Sequence, residues 1–433
     1  MTARLAERTG WLLAAIAMLL LSLGSVSAAA PAVSPQYFGL HIFYPHLTTK
    51  WPRTSFGSLR IWDCPGATWA EIEPSRGQWN FSALDRIVDL ADENRVSVLY
   101  TLGQTPAWAS SRPAERSARG PGRAAEPADA EDWANYVRTV ATRYRGRIQA
   151  YEIWNEPRFS DLYPWRGTGF YSGSARSMVT LSRIAYQVIK EVDPAAIVVS
   201  PAMDGESIAL RKFDRYLAEG GGKWFDVVGW HYYLSSSDAP EALATHHDEL
   251  RSLLARHNLP DKPIWNTETG VMVDHGKPVK PMDPPGILSK VMTPTEAANY
   301  MVRAMIVLAA AGAERFYWFA WDSASMGVLS SLPPRAPSEI AYAYDALRRW
   351  LVGARLGSCR VIENSVWECP IQRGPRLAHI VWSAQGERSL VVPQDWNVRA
   401  VQALFGGTEP LAGAAIRVFE RPVLLKAEAD DWN

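Results

Sequence analysis

From Gln36 to about Trp350 the chain alternates short apolar runs with stretches whose apolar residues recur every three or four positions. The runs YFGLHIF (37–43), GSLRIWD (57–63), VSVLYTLG (96–103) and IQAYEIWNE (148–156) predict strands. So do AIVVSPA (196–202), FDVVGWHYY (225–233), PIWNTE (263–268) and RFYWFAW (315–321). Helical periodicities lie between most of them. Ser82-Ala83-Leu84-Asp85 reads as a capping box opening one helix, and Asp129-Ala130-Glu131-Asp132 opens another. Further helices are expected over Ser174–Val192, Ile208–Glu219, Glu241–His257, Thr295–Ala311 and Glu339–Trp350.

Eight strands, nearly all followed by helices, spread over about 310 residues, predict an α/β fold of the (β/α)8 TIM-barrel type. A doubly wound sheet would share the alternation, but it normally has fewer strands and a phosphate-type turn. The glycine cluster Gly220-Gly221-Gly222-Lys223 precedes a strand instead of joining strand to helix, and reads as a plain turn. Two connections are long, Gln104–Ala128 and Thr269–Met292. In a barrel both follow strands, so both belong to the face that carries active sites. After Leu351 the pattern changes to short, turn-punctuated runs (RVI, SVWEC, LAHIVWSA, SLVV, IRVF, PVLLK). A barrel over 36–350 followed by a small all-β sandwich over 351–430 is the expected organisation.

Composition narrows the function classes. Forty-five Lys plus Arg balance 45 Asp plus Glu, so no basic excess exists to collect phosphates, and no nucleic-acid partner is expected. The hydrophobic share of 47% excludes a disordered chain. The unusual component is 19 Trp, whose indole N–H wants a partner when buried, so much of it is expected half-exposed, lining something.

Residues 1–28 carry Arg4 and Arg8, an apolar run from Trp11 to Leu23, and the small-residue exit Val26-Ser27-Ala28, which together read as a secretory signal. The rival is an uncleaved anchor reaching Ala32, with inner-membrane association. Either way the rest of the chain is expected to be exported, to the periplasm or beyond. Of the three Cys, Cys359 and Cys369 flank two strand-like runs joined by Glu363-Asn364-Ser365. A three-residue loop there sets them directly across an antiparallel pair, so a disulfide is expected, with Cys64 left as a buried free thiol.

Two carboxylates carry the candidate chemistry. Glu156 lies in Tyr151-Glu152-Ile153-Trp154-Asn155-Glu156-Pro157 at the end of the fourth strand, and Glu268 in Ile264-Trp265-Asn266-Thr267-Glu268-Thr269-Gly270 at the end of the seventh. Carboxylates at the C-terminal ends of two barrel strands converge over its mouth. A Glu pair is what glycosidic cleavage requires: one protonates the leaving oxygen while the other attacks or directs water. Taken singly, Glu156 reads equally as a surface loop carboxylate and Glu268 as half of an ion pair.

At these residues the chain resembles the clan A retaining glycoside hydrolases. Within that clan, LGQTPAWAS (102–110) followed by YEIWNEP resembles family 39, and the chain is similar to the Psl-type bacterial biofilm exopolysaccharide endoglycosidases. The resemblance runs from about residue 37 to 350. It implies a double displacement with Glu156 as acid/base and Glu268 as nucleophile. It also implies Asn155 on a sugar hydroxyl, Tyr233 donating to the nucleophile, His231 as a sugar contact, and Arg60 steadying the nucleophile from strand two. Where many clan members have a His ending strand three, this chain has Gln104.

His41 could reach the sugar from strand one or be a core residue. Trp108, Trp165, Trp318 and Trp321 are the candidate sugar platforms, with Trp318 and Trp108 foremost. No metal constellation or cofactor motif is legible, since His246 and His247 are adjacent and no HExxH occurs. A monomer acting on a polysaccharide or oligosaccharide is expected. The rivals are an exo-acting β-xylosidase-like or endo-glucanase/mannanase-like enzyme, and a weakly catalytic carbohydrate-binding or matrix-assembly protein.

Overall fold

The structure is a computed structural model that describes residues 31–163, 169–235, 237–276, 279, 290–330, 335–429 and 432. The expected signal segment and Trp165 lie outside the described residues. Among the described residues no helix is long and apolar enough to cross a membrane.

Eight parallel strands form the first unit: β1 (Phe38–His41), β2 (Ser58–Ile61), β3 (Ser97–Leu102), β4 (Ala150–Ile153), β5 (Ile197–Val199), β6 (Val228–His231), β7 (Ile264–Thr269) and β8 (Arg315–Trp318). Each is hydrogen-bonded to its neighbours in the order β5-β4-β3-β2-β1-β8-β7-β6. A parallel bridge between Val199 and Val227 joins the two ends, so the sheet closes on itself as a barrel. The helices that follow β2 to β8 are α1 (Ser82–Glu93), α2 (Ala130–Arg143), α3 (Ala175–Val192), α4 (Glu206–Ala218), α5 (Ala242–Arg256), α6 (Pro294–Ala310) and α7 (Glu339–Leu351). Between β1 and β2 the chain makes no helix.

Each helix lies with its apolar stripe inward. In α1 the buried residues Leu84, Ile87, Val88 and Ala91 recur at helical spacing. The capping box expected at Ser82 is not formed. Ser82 is already helical, and Asn80 Oδ1 accepts from its N–H (3.2 Å) and its hydroxyl (2.8 Å). A side-chain acceptor two residues upstream satisfies the same orphan donor that a Ser cap would. At α2 the expected cap is present, with Asp129 accepting from Glu131 N–H at 2.9 Å.

Leu99, Ala150, Val199, Val227, Trp265 and Tyr317 form an apolar layer across the barrel. Side chains along a strand alternate faces, so Thr101 and Glu152, two residues beyond Leu99 and Ala150, occupy the layer above. That layer is polar and lies directly under the candidate site.

The chain divides into two compact units, one of residues 34–308 and 312–345, the other holding 346–433 with 309–311. The division falls inside α7, a few residues before the boundary at 350 expected from the pattern. In the second unit, strands β9 (Arg355–Leu356), β10 (Arg360–Glu363), β11 (Val366–Arg373), β12 (Arg376–Ser383), β13 (Arg388–Val391), β14 (Ala400–Ala403), β15 (Thr408–Pro410), β16 (Ala415–Val418) and β17 (Val423–Lys426) pair antiparallel. The larger sheet runs β9-β11-β12-β17-β14-β15, with β10 also on β11, and β13 pairs β16 separately. Val366, Val381 and Leu425 of the larger sheet pack against Leu390 and Val418 of the smaller, which makes a sandwich.

The β10–β11 hairpin turns at Asn364 and Ser365, both with positive φ (37° and 71°), and places Arg360 opposite Glu368. Cys359 and Cys369 therefore meet, with Cα atoms 4.2 Å apart and their sulfurs bonded. Cys64 is buried and free.

Candidate active site

The centre of the barrel mouth is built around Arg60. Its side chain is fully buried on β2, and an isolated guanidinium there would be prohibitively costly. Nε and Nη2 donate to Glu152 Oε2 at 2.9 and 2.6 Å, Nη1 donates to Glu268 Oε2 at 2.6 Å, and Nη2 also donates to Asn155 Oδ1 at 2.5 Å. Glu152 Oε2 accepts a further bond from the Thr101 hydroxyl at 2.7 Å. A Cβ added at Gly229 would stand 2.9 Å from Val199 Cγ1 and 3.0 Å from Glu152 Oε1, so glycine there makes room for this carboxylate. Glu152 was not singled out from the sequence, although it stands in the same run as Glu156. The available signal was a second acidic residue inside an apolar strand, with the right period to face Arg60.

Glu268 ends β7 and is clamped from two sides. Arg60 holds Oε2, and the Tyr233 hydroxyl donates to Oε1 at 2.8 Å. Burial pushes its pKa upward, with the Glu156 charge adding to this, while His231, Arg60 and the Tyr233 hydroxyl pull it back. Tyr233 itself is pushed well above the usual phenol range by burial and by the Glu268 charge, so it remains a neutral donor.

Glu156 lies just past β4. Its N–H donates to Ala202 O at 3.0 Å, its φ is 42°, and Trp154 two residues earlier has φ 68°. Asp63 and Gln104, past β2 and β3, also hold left-handed conformations (φ 62° each). Such backbone costs of order 1–3 kcal/mol per non-Gly residue and concentrates where side chains must be aimed. The Trp154 indole donates to Phe170 O at 2.7 Å, which helps hold this turn.

Glu156 Oε1 is 2.8 Å from His231 Nδ1. Burial, then the neighbouring Asp204 charge, raise the Glu156 pKa to about 8. Burial lowers His231 to about 4, so the ring is neutral in the range where Glu156 is protonated. One oxygen of Glu156, one of Glu268 and a ring nitrogen of His231 lie within 4.8 Å of one another. These three are the described residues that could approach a metal ion together. Glu268 already accepts from a guanidinium and a phenol, however, and the Arg60 charge on the same carboxylate opposes a second cation.

The remaining expected residues divide. Asn155 joins the cluster, its Oδ1 taken by Arg60, which fixes the amide with its NH2 as the remaining donor end. His41 is buried, lies against Phe43 and Phe319 with ring centroids 4.5 and 4.8 Å away, and neither ring nitrogen has a partner among the described residues. Gln104 donates to Asp63 Oδ1 at 3.0 Å and accepts from Arg123 Nη1 at 3.2 Å, and Arg119 pairs with the same Asp63.

Of the expected tryptophan platform, Trp318, Trp321 and Trp108 lie within the described residues. Trp318 is fully buried, stacked on Phe316, with no face open to a sugar. Trp321 is also buried. Trp108 is half-buried but packs edge-on to Trp69, donates to Glu73 O at 2.8 Å, and lies under the Arg76 guanidinium. A partly exposed aromatic near the cluster is Phe319, one residue past Trp318, packed with Tyr233, Met272 and Met326.

Residues 66–200 match the model of glycosyl hydrolase family 10, a span that contains Glu156 but not Glu268. Endo-1,4-beta-xylanase A of Phanerodontia chrysosporium is 31% identical over 147 residues, 33% of this chain and 32% of that protein. Endo-1,4-beta-xylanase B of Humicola insolens is 24% identical over 202 residues, 43% of this chain and 49% of that protein. The chain thus spans about a third to a half of the length of these relatives.

Among solved structures, a family 39 glycoside hydrolase from Bacteroides cellulosilyticus WH2 aligns over 92% of this chain and 83% of its own, with TM-score 0.66 and 14% identity. A monomeric beta-xylosidase from Caulobacter crescentus CB15 aligns over 92% and 97%, with TM-score 0.60 and 14% identity. The chain therefore has the fold of the clan A glycoside hydrolases, similar over most of its length to a family 39 structure and, around the third and fourth strands, to family 10.

Proposed function

We propose that the protein is a retaining glycoside hydrolase that cleaves a polysaccharide by double displacement, with Glu156 as acid/base and Glu268 as nucleophile. The observation that carries this reading is the carboxyl pair itself. The two groups lie at the ends of β4 and β7, have oxygens within 4.8 Å of each other, and have different partners, Arg60 and Tyr233 on Glu268 and His231 on Glu156. Retaining enzymes hold their carboxyl groups about 5–5.5 Å apart, whereas inverting ones need about 6.5–9.5 Å to admit a water.

Glu156, protonated near neutrality, donates its proton to the leaving oxygen as the bond to the anomeric carbon breaks. Glu268, oriented by Arg60 and Tyr233, forms the new bond to that carbon. Esterification removes the Glu268 charge, which lowers the proton affinity of Glu156 and lets it take a proton from the incoming water. Asn155 is placed to meet the sugar 2-hydroxyl with its NH2, an interaction that strengthens at the transition state.

The substrate we favour is an exopolysaccharide, met in the periplasm or outside the cell. Support comes from the basic and apolar N-terminal pattern, which suits export, and from the Cys359–Cys369 disulfide, which suits an oxidising compartment. A second reading, an enzyme of xylan-type chains, is supported by the named xylanases matching the segment around Glu156. Incubation with a panel of bacterial exopolysaccharides and with xylan, followed by sizing of products and NMR of the first-formed anomer, tests both. Retained configuration is expected. Inverted product, or no cleavage of any glycan, would overturn the reading.

A further inference from the structure

The end of β5 lies between the strands that carry Glu156 and His231. Glu156 N–H donates to Ala202 O, and His231 N–H donates to Met203 O, both at 3.0 Å. The hydrogen bond between the Glu156 and His231 side chains therefore spans from β4 to β6 across the Ala202-Met203 segment. The next residue is Asp204, whose side chain is about a quarter exposed (25%).

Asp204 is bound by Lys212 Nζ from α4. Lys212 is an anomaly in its helix. It lies three residues after Ala209 and four before Tyr216, both fully buried, so it occupies the inward stripe of an amphipathic helix. Its side chain is 2% exposed. An ammonium in that place is costly unless paired, and a methionine or leucine would pack there without the cost. Its position is explained by the carboxylate it meets.

The charged and titratable groups around Glu156 come from every neighbouring element. They are Arg60 of β2, Arg119 of the loop after β3, Arg158 of its own loop, Asp204, Lys212, His231 and Tyr233 of β6 and its end, and Glu268 of β7. Two of these are anions that favour the protonated form of Glu156. Glu268 loses its charge when it is esterified, so Asp204 is the one whose charge persists through the cycle. Burial pushes Asp204 up, but Lys212, with His231 and Arg158 adding to it, outweighs burial and leaves the carboxyl below its usual range.

We infer that Asp204 and Lys212 are a positioning pair for the acid/base: Asp204 is the fixed anion that keeps Glu156 protonated before bond cleavage and basic after it, and Lys212 offsets the cost of burying that anion beside the site. This rests on the reading of Glu156 as acid/base. The physical content is electrostatic, so neutral variants of similar shape separate charge from packing.

The test follows the Glu156 carboxyl directly, by infrared difference titration of each full-length variant against its Glu156→Gln counterpart, alongside the pH dependence of kcat/KM. Asp204→Asn should move the Glu156 titration and the alkaline limb of the rate profile to lower pH by about one pH unit, since it removes an anion and leaves Lys212 uncompensated. Lys212→Met should leave both where they are or move them upward. The double variant should fall between the wild type and Asp204→Asn. Turnover of a dinitrophenyl glycoside, whose departure needs no proton, should slow in Asp204→Asn because the base step is weakened.

An unmoved Glu156 titration in a folded Asp204→Asn variant would overturn the inference. So would an equal downward move in Lys212→Met, which would mean the pair acts through packing. If instead Glu156→Gln cleaves poor-leaving-group substrates normally, the acid/base reading itself falls. The two failures are thereby distinguished.

Discussion

Arg60 donates to Glu268 at 2.6 Å while its other edge is held by Glu152, so the candidate nucleophile is oriented by a guanidinium that is itself anchored to a second buried carboxylate. Both side chains of the Arg60–Glu152 pair are fully buried. Such a pair contributes little net stability when intact, yet losing one partner strands a charge. Arg60→Met is expected to destabilise the barrel by about 3–5 kcal/mol. Urea unfolding of the variant measures this, and a loss under about 1 kcal/mol would mean Glu152 is relieved in some other way.

Glu156→Gln should lose activity on substrates with poor leaving groups and keep much of its glycosylation rate on activated aryl glycosides, whose leaving oxygen needs no proton. Added azide should then rescue the second step and give a glycosyl azide of retained configuration. Equal loss on both substrate types without azide product would remove Glu156 from the acid/base role.

The pH profile has a defined sign. Glu156 works as acid in its protonated form, so kcat/KM should be sustained below its pKa and fall as pH rises through about 8. Glu268 must be ionised, and burial raises its pKa, so the acidic limb should lie above the usual carboxylate range. His231, lowered to about 4, contributes no limb near neutrality. An alkaline limb near 8 on a substrate with a poor leaving group, absent on a dinitrophenyl glycoside, checks the assignment.

A 2-deoxy-2-fluoro glycoside of the correct sugar should label Glu268, because fluorine slows breakdown of the ester more than a good leaving group slows its formation. Glu268→Gln should cut turnover by several orders of magnitude while leaving sugar binding nearly intact, since the loss is confined to the transition state. Label mapped to any other residue would end the double-displacement mechanism.

Peptide mapping without reductant should join Cys359 to Cys369 and leave Cys64 free. Closing a loop of about ten residues should stabilise the second unit by roughly 2–3 kcal/mol, and reduction should lower its unfolding midpoint accordingly. Activity at low temperature should survive, because the candidate catalytic residues all lie in the first unit.

Much of the barrel was legible because a strand followed by an amphipathic helix leaves a period in the sequence that needs no partner to be read. The placement of Glu156, Glu268, Arg60 and Tyr233 at the ends of strands or inside them followed from the same periods. The cross-strand pairing of Cys359 and Cys369 followed from counting residues through a short turn. These are local properties, set by backbone geometry over a handful of residues.

What the tertiary structure alone decided are contacts between elements distant in the chain. Glu152 becomes Arg60's anchor only because β4 and β2 flank β3 and turn the same face to the barrel interior. Trp318 and Phe319 are neighbours on a strand end, where side chains alternate faces, so one residue of phase decides which ring is buried. The register of β8 on β7 shifts between Phe316 and Trp318, an irregularity no period in the sequence announces. Asp204 and Lys212 meet because α4 folds back on the end of β5, which brings a loop carboxylate over the inward stripe of that helix. Periodicity tells a residue whether it faces in or out. Which charge it then meets depends on strand order and closure, and those are properties of the whole barrel.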